Sequence, residues 1–180
     1  MEWSAKVLYT ENFLGEDKVD NLSPILVELI SNTNNHANPN SDDDSEKIPW
    51  FLSIVEDNIT GKMMFSVVDL GVGIFESLKM KGLANTNKLF RDTIKDMYAN
   101  SQSKFLRTSI PQGVDSSTGL FYRGQGLQTV HGLVRSKSYN VFRIITNKAV
   151  INMKNTAENT IDTADSLSGT VFYWEMSQNE

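Results

Sequence analysis

Met63–Ile74 reads MMFSVVDLGVGI, and the order of chemistry along this stretch decides the fold. An apolar run ends in Asp69, and Gly71 and Gly73 follow before Ile74 opens a second apolar stretch. The run predicts a strand over Met63–Asp69. The glycines predict a tight turn where the backbone takes positive φ and approaches a ligand closely. Asp69, at the strand's end, is expected to be partly buried and to need a hydrogen-bond partner. An adenine amino group is one such partner, since a carboxylate accepts from it. A plain strand–turn–helix junction is the alternative reading.

Working outward, Trp50–Glu56 is a second strand, joined to the first by a turn at Asn58–Gly61, which makes a hairpin. Downstream, Ile74–Met80 and Asn87–Tyr98 have helical patterns, and Asn100–Tyr122, rich in Ser, Gly, Thr and Pro, reads as a long loop. A structureless stretch of that length in a domain is usually a functional lid or disordered. Gly124–Lys137 reads as a helix with Leu127, Val130, Leu133 and Val134 on one side. Tyr139–Thr146, Ala149–Met153 and Thr170–Met176 read as three closing strands, with Asn155–Ser166 a polar surface loop. Upstream, Trp3–Tyr9 is strand-like, and Asn38–Lys47 is a polar, acidic loop. Ser23-Pro24 fits a helix start, Ser as N-cap and Pro at the first helical position. That helix is predicted to run to about His36 with Leu22, Leu26, Leu29 and Ile30 as its apolar stripe. The order predicts an α+β, two-layer sandwich, with helices on one face of a mixed, mostly antiparallel sheet.

Two further segments carry chemistry. Glu28, Asn32 and His36 lie four residues apart in ELISNTNNHA. Such residues advance about 40° and rise about 6 Å per step, so they share one stripe, away from the centre of the apolar one. The Asn32 carbonyl is a hard oxygen ligand of the kind Mg²⁺ takes beside waters and phosphates. Glu28, a turn earlier, suits a general base on a water or hydroxyl. A solvated polar helix face is the competing reading. In RGQGL, Arg123, Gly124, Gln125, Gly126 and Leu127 open the predicted helix after the long loop. Exposed N–H groups at such a start bind phosphate, with Arg123 beside them.

The bulk properties narrow the class. A chain of 180 residues suits one domain, 1–180, with one core. There is no transmembrane run, and the N-terminal residues lack a signal-peptide core. The sequence has no cysteine, which removes disulfides and thiolate metal sites and fits a cytoplasmic location. A net charge of −5 disfavours nucleic acid as a partner. There is no GxxxxGK[ST] P-loop, no GxGxxG after a first strand, no nucleophile elbow and no zinc-protease motif.

Together the segments resemble the GHKL superfamily of ATPases: gyrase B, the large heat-shock chaperone, MutL and the histidine kinases. ELISNTNNHA is similar to its N-box, DLGVGI to its first glycine box, RGQGL to its second, and SGTVFYWE (168–175) to its last strand. The resemblance spans about Leu22 to Trp174 and looks closest to the histidine-kinase-like and anti-sigma-factor-kinase branch. It implies the Bergerat ATP-binding fold, with ATP and Mg²⁺ as cofactors and an ATP lid within about 75–123. It implies Glu28 as general base, Asn32 as Mg²⁺ ligand, and Asp69 on the adenine amino group. Gly71, Gly73 and Ile74 would shape the base pocket. Arg123, Gly124, Gln125, Gly126 and Leu127 would hold phosphates, and Thr170 would support the adenine side. His36 would face phosphate or be a capping or surface histidine. His36 and His131 are the only histidines and both lie in these segments, so autophosphorylation on histidine within this chain is not expected. The expected activity is ATP hydrolysis or γ-phosphate transfer to a partner protein in signalling or regulation, with a STAS-like or response-regulator-like acceptor. A nucleotide-gated binding module with little catalysis, or the ATPase domain of a larger clamp-type protein, are the alternatives. Homodimerisation is left open.

Overall fold

Phe65, Trp174 and Phe142 stack face to face across three neighbouring strands. Their ring centroids lie 5.2 Å and 5.6 Å apart, with planes within 5° and 13° of parallel. Registers Phe65↔Trp174 and Phe142↔Trp174 put the three directly opposite one another. In this computed structural model, which describes residues 13–36, 49–84, 92, 95, 101–112, 125–136, 139–154 and 160–177, that stack forms the middle of the sheet's buried face.

The sheet contains β1 (Trp50–Asp57), β2 (Lys62–Asp69), β3 (Val141–Asn152) and β4 (Thr160–Ser177), in the spatial order β1-β2-β4-β3. All described pairings are antiparallel, so the parallel component expected of a mixed sheet is not found among them. Alternation sorts the residues. Met63, Phe65, Val67 and Asp69 of β2 face the core opposite Met176, Trp174, Phe172 and Thr170 of β4. Phe142, Ile144 and Thr146 extend the same face onto β3.

Among the described residues four helices cover that face: α1 (Glu16–His36), α2 (Ile74–Ala84), α3 (Gln102–Gln112) and α4 (Gln125–Ser136). Each buries a short apolar stripe in one continuous cluster with the sheet: Leu22, Ile25, Leu26 and Leu29 from α1, Phe75 and Leu78 from α2. Leu106 and Ile110 from α3, with Val130 and Val134 from α4, complete it. Helix α1 packs on α4, α2 on β3, and α3 on α4, β3 and β4. The result is the expected two-layer α+β arrangement. No described helix is long and apolar enough to cross a membrane.

Several boundaries differ from the sequence reading. Helix α1 begins at Glu16, two turns before Ser23, and Pro24 lies inside it. An interior proline loses one helical hydrogen bond. Ser23 and Pro24 are exposed while Leu22, Ile25 and Leu26 beside them are buried, so core packing on both sides carries the helix through. Residues 102–112, expected within a loop, form α3, because Ser103, Leu106 and Ile110 recur at helical spacing and are buried. The two strands expected at Tyr139–Thr146 and Ala149–Met153 are one strand, β3, with register shifts at Thr146/Asn147 and Asn147/Ala149. Residues 160–166, expected as loop, are the first part of β4, where Ile161 and Asp162 pair with Val150 and Ala149. Apart from half-buried Thr160 its side chains are exposed, and it is held by the backbone ladder with β3 and by side-chain hydrogen bonds such as that from Ser103 N–H to Asp162 Oδ1. The predicted strand Trp3–Tyr9 and loop Asn38–Lys47 lie outside the described residues, as does most of the predicted helix Asn87–Tyr98.

Candidate functional site

Asp69 is the last residue of β2 and is 8% exposed. Its carboxylate accepts the Gly71 N–H at 3.0 Å, closing a small turn on its own strand end. Burial pushes its pKa up, opposed by hydrogen bonds from Gly71 N–H and from the hydroxyl and N–H of Thr170. Thr170 lies directly across the ladder from Asp69 and is also buried. Thus Asp69, Gly71 and Thr170, named separately from the sequence, share one end of the sheet.

The turn continues into α2. Gly73 has φ +81°, and a Cβ there would come within 2.6 Å of Asn147 Oδ1 and 2.8 Å of the Gly169 carbonyl. Only glycine fits both the dihedral and the space. Gly169 on β4 has φ +105°, and a Cβ there would drive into the Asp69 carbonyl. Two glycines, one in the turn and one on β4, therefore let three backbone segments close around the Asp69 turn.

The first N–H groups of α2 have no partner within the helix, as at any helix start. Both are met from β3. Ile74 N–H donates to Thr146 Oγ1 at 2.9 Å, and Phe75 N–H donates to Asn147 Oδ1 at 2.9 Å. Thr146 Oγ1 in turn donates to the Gly169 carbonyl at 3.1 Å and lies 3.3 Å from Thr170 Oγ1. Asn147 Nδ2 donates to the Val72 carbonyl at 2.9 Å and to Leu167 O at 3.4 Å. Asn147 adopts φ 49°, the left-handed conformation that asparagine tolerates better than most residues. Thr146 and Asn147 are the site residues that the sequence reading missed. The signal was present: Thr146-Asn147-Lys148 interrupts an apolar strand pattern, and it was read there as a gap between strands.

Glu28 and Asn32 lie one turn apart on α1, both half-buried. Asn32 Nδ2 is buried and has no hydrogen-bond partner among the described residues. Its neighbour Thr33 satisfies itself, donating to the Leu29 carbonyl at 3.0 Å. A buried amide nitrogen left open costs about 1–3 kcal/mol unless something fills its place. His36 closes α1. Gln125 and Gly126 are the first two residues of α4, the helix against which α1 packs, and Leu127 is half-buried against the core. Arg123 and Gly124 lie outside the described residues. The site residues thus fall into two groups: a closed polar turn at one end of the β2–β4–β3 ladder, and the α1 stripe beside α4.

Among the described residues no three His, Cys, Asp or Glu side chains form a metal-binding cluster. The expectation for Asn32 does not require such a cluster, since Mg²⁺ takes few protein ligands beside waters and phosphate oxygens. No protein-family model matches the chain, and no curated protein matches it.

Proposed function

We propose that this chain is a Mg²⁺-dependent ATP-binding protein of the GHKL type, built as a Bergerat fold. In this reading it hydrolyses ATP or passes its γ-phosphate to a partner protein of STAS-like or response-regulator-like type. The observation that carries the proposal is Asp69, a carboxylate buried at a strand end with glycines on both sides of it. A buried carboxylate has lone pairs to spare, and the exocyclic amino group of adenine is a neutral donor that fits them. Guanine would present a carbonyl oxygen there and be repelled. Thr170, already bonded to Asp69, sits where it can support the same edge of the base.

The open Asn32 amide supports the phosphate side of the reading. Its Nδ2 suits a phosphate oxygen, and the carbonyl of the same amide suits Mg²⁺. Mg²⁺, when bound, would supply charge neutralisation between the phosphates. Glu28, one turn away and half-buried, is the group to take a proton from a water or an acceptor hydroxyl. The helix start at Gln125-Gly126 would offer backbone N–H groups to the phosphate chain. The absence of cysteine supports a cytoplasmic setting.

The test is Glu28→Gln with radiolabelled ATP, Mg²⁺ and calorimetry. Retained affinity with loss of about 10²-fold or more in turnover supports the enzyme reading, the scale being that of general-base catalysis. Retained affinity with no turnover in wild type favours the nucleotide-gated binding module. No heat on mixing wild-type protein with ATP and Mg²⁺ refutes both.

A further inference from the structure

We propose that Asn147 is the positioning residue for base selectivity, setting from the neighbouring strand the shape of the turn that reads the nucleotide. The inference rests on the nucleotide-binding reading above. Asn147 is 5% exposed, and every hydrogen-bonding arm of its amide is used. The acceptor Oδ1 faces an N–H, and the donor Nδ2 faces two carbonyls, so the orientation of the amide is fixed by its partners. Two of those partners, Val72 O and Phe75 N–H, lie on either side of Gly73. The amide also lies against Gly73 itself, within 2.6 Å and 2.7 Å of where a Cβ would stand. Asn147 therefore grips the turn on three sides without belonging to it.

Asparagine alone meets every demand at this position. The backbone is left-handed, which favours Gly, Asn and Asp. Glycine would keep the dihedral and lose the amide. Aspartate would keep the acceptor for Phe75 N–H and set a second anionic oxygen against the carbonyls of Val72 and Leu167. The register shifts on both sides of Asn147 are what swing this side chain under the turn. The bulge is thus coupled to function: Asp69, Gly71 and Gly73 present the base-reading edge, and Asn147 decides where that edge stands.

The experiment measures ATP, GTP and inorganic triphosphate binding, with Mg²⁺, to wild type and to Asn147→Ala, Asn147→Gly and Asn147→Asp. Melting temperatures are recorded alongside. Ile151→Val is the control, since Ile151 is buried on the same strand four residues on, about 13 Å away along it. The expected result is a fall of about tenfold or more in the ATP-over-GTP preference for Ala and Gly, the scale of one lost buried hydrogen bond. Triphosphate affinity should hold within about twofold, a change worth well under 1 kcal/mol. Asp should recover part of the preference by keeping the Phe75 cap. Equal loss in Ile151→Val, or full preference in Asn147→Gly, overturns the inference, since stability or backbone conformation alone would then account for it. If Asn147→Ala does not fold, the Gly and Asp variants decide. A wild type that binds no ATP fails at the first measurement, and that failure belongs to the nucleotide-binding reading; a wild type that binds ATP with unchanged variants fails only the role of Asn147.

Discussion

Replacing Gly169 by alanine tests whether the polar turn is as closed as its geometry implies. Two costs add. The first is the dihedral: φ +105° is a region that side chains rarely adopt, with a cost of about 1–3 kcal/mol. The second is steric. The new methyl would meet the Asp69 carbonyl, with the Asp69 carbonyl carbon at 3.1 Å and Leu70 Cα at 3.2 Å behind it. These are backbone atoms of a paired strand, so relief requires β2 and β4 to part locally, an overpacking cost of about 1–3 kcal/mol. The sum is about 2–6 kcal/mol, which lowers the melting temperature of a chain this size by about 5–20 °C. Gly61 supplies the comparison. It also has positive φ, +63°, in the β1–β2 turn, and a Cβ there would have nothing within 4 Å. Gly61→Ala should lose about 1 kcal/mol, the conformational part alone. The assay is paired urea and thermal unfolding followed by circular dichroism, with the two variants on one protein background. Equal losses in both variants would refute the steric argument and with it the close approach of β4 to the turn.

Two carboxylates should respond to pH with opposite signs. Burial holds the folded pKa of Asp69 above its ordinary 3.8, so the ionised form weakens the fold: its contribution is present below 3.8 and lost as pH rises through the folded value. Asp69→Asn should therefore be at least as stable as wild type at pH 7 in urea titrations, with its advantage vanishing as the pH falls toward 3.8. A variant less stable at pH 7, gaining relative to wild type on acidification, would contradict this. At Asp162 burial pushes upward, but hydrogen bonds from Ser101 and Ser103 outweigh it and hold the carboxyl below its ordinary 3.8. Asp162 Oδ1 accepts the Ser103 N–H at 2.8 Å in the first turn of α3. Asp162→Ala should cost about 1 kcal/mol, the value of a helix cap, at neutral pH. That cost should fade only below 3.8, as the wild-type carboxylate protonates, and a constant difference from pH 7 to pH 3 would argue against the capping role.

The parts of the fold legible in the sequence are those where side-chain pattern and backbone agree. The β1–β2 hairpin, the turn at 58–61 and the apolar stripe of α4 read directly, because local alternation or helical spacing is also the pattern of burial. The misreadings have a common cause. Pro24, the Ser- and Pro-containing α3, and the polar residues 160–166 each carry a local preference against their final state. Packing from distant residues overrides that preference: the α1 core residues around Pro24, Asp162 and the β3–β4 ladder at α3, and β3 along 160–166. At the site, Asp69 and the two glycines of its turn were legible as a polar turn at a strand end, whereas Thr170 came only through the family resemblance. Asn147 was not, because its role depends on a bulge that brings it beneath a turn seventy-odd residues earlier, a separation of 72 to Phe75. No spacing rule within one segment can reveal such a pair.

The capping of α2 also has a consequence for how the chain assembles. The residue before Ile74 is Gly73, which offers no side chain, and both capping oxygens arrive from β3, 72 residues further along. The helix start is thus specified by a part of the chain made much later. During synthesis from the N-terminus, α2 is expected to stay frayed until β3 has emerged and paired with β4. A fragment ending at Ala84 has every residue of α2 and neither of these caps, so it should show little helix in water, where short helices are marginal on their own. The turn that holds Asp69 is therefore expected to form late, as a unit with β3 and β4.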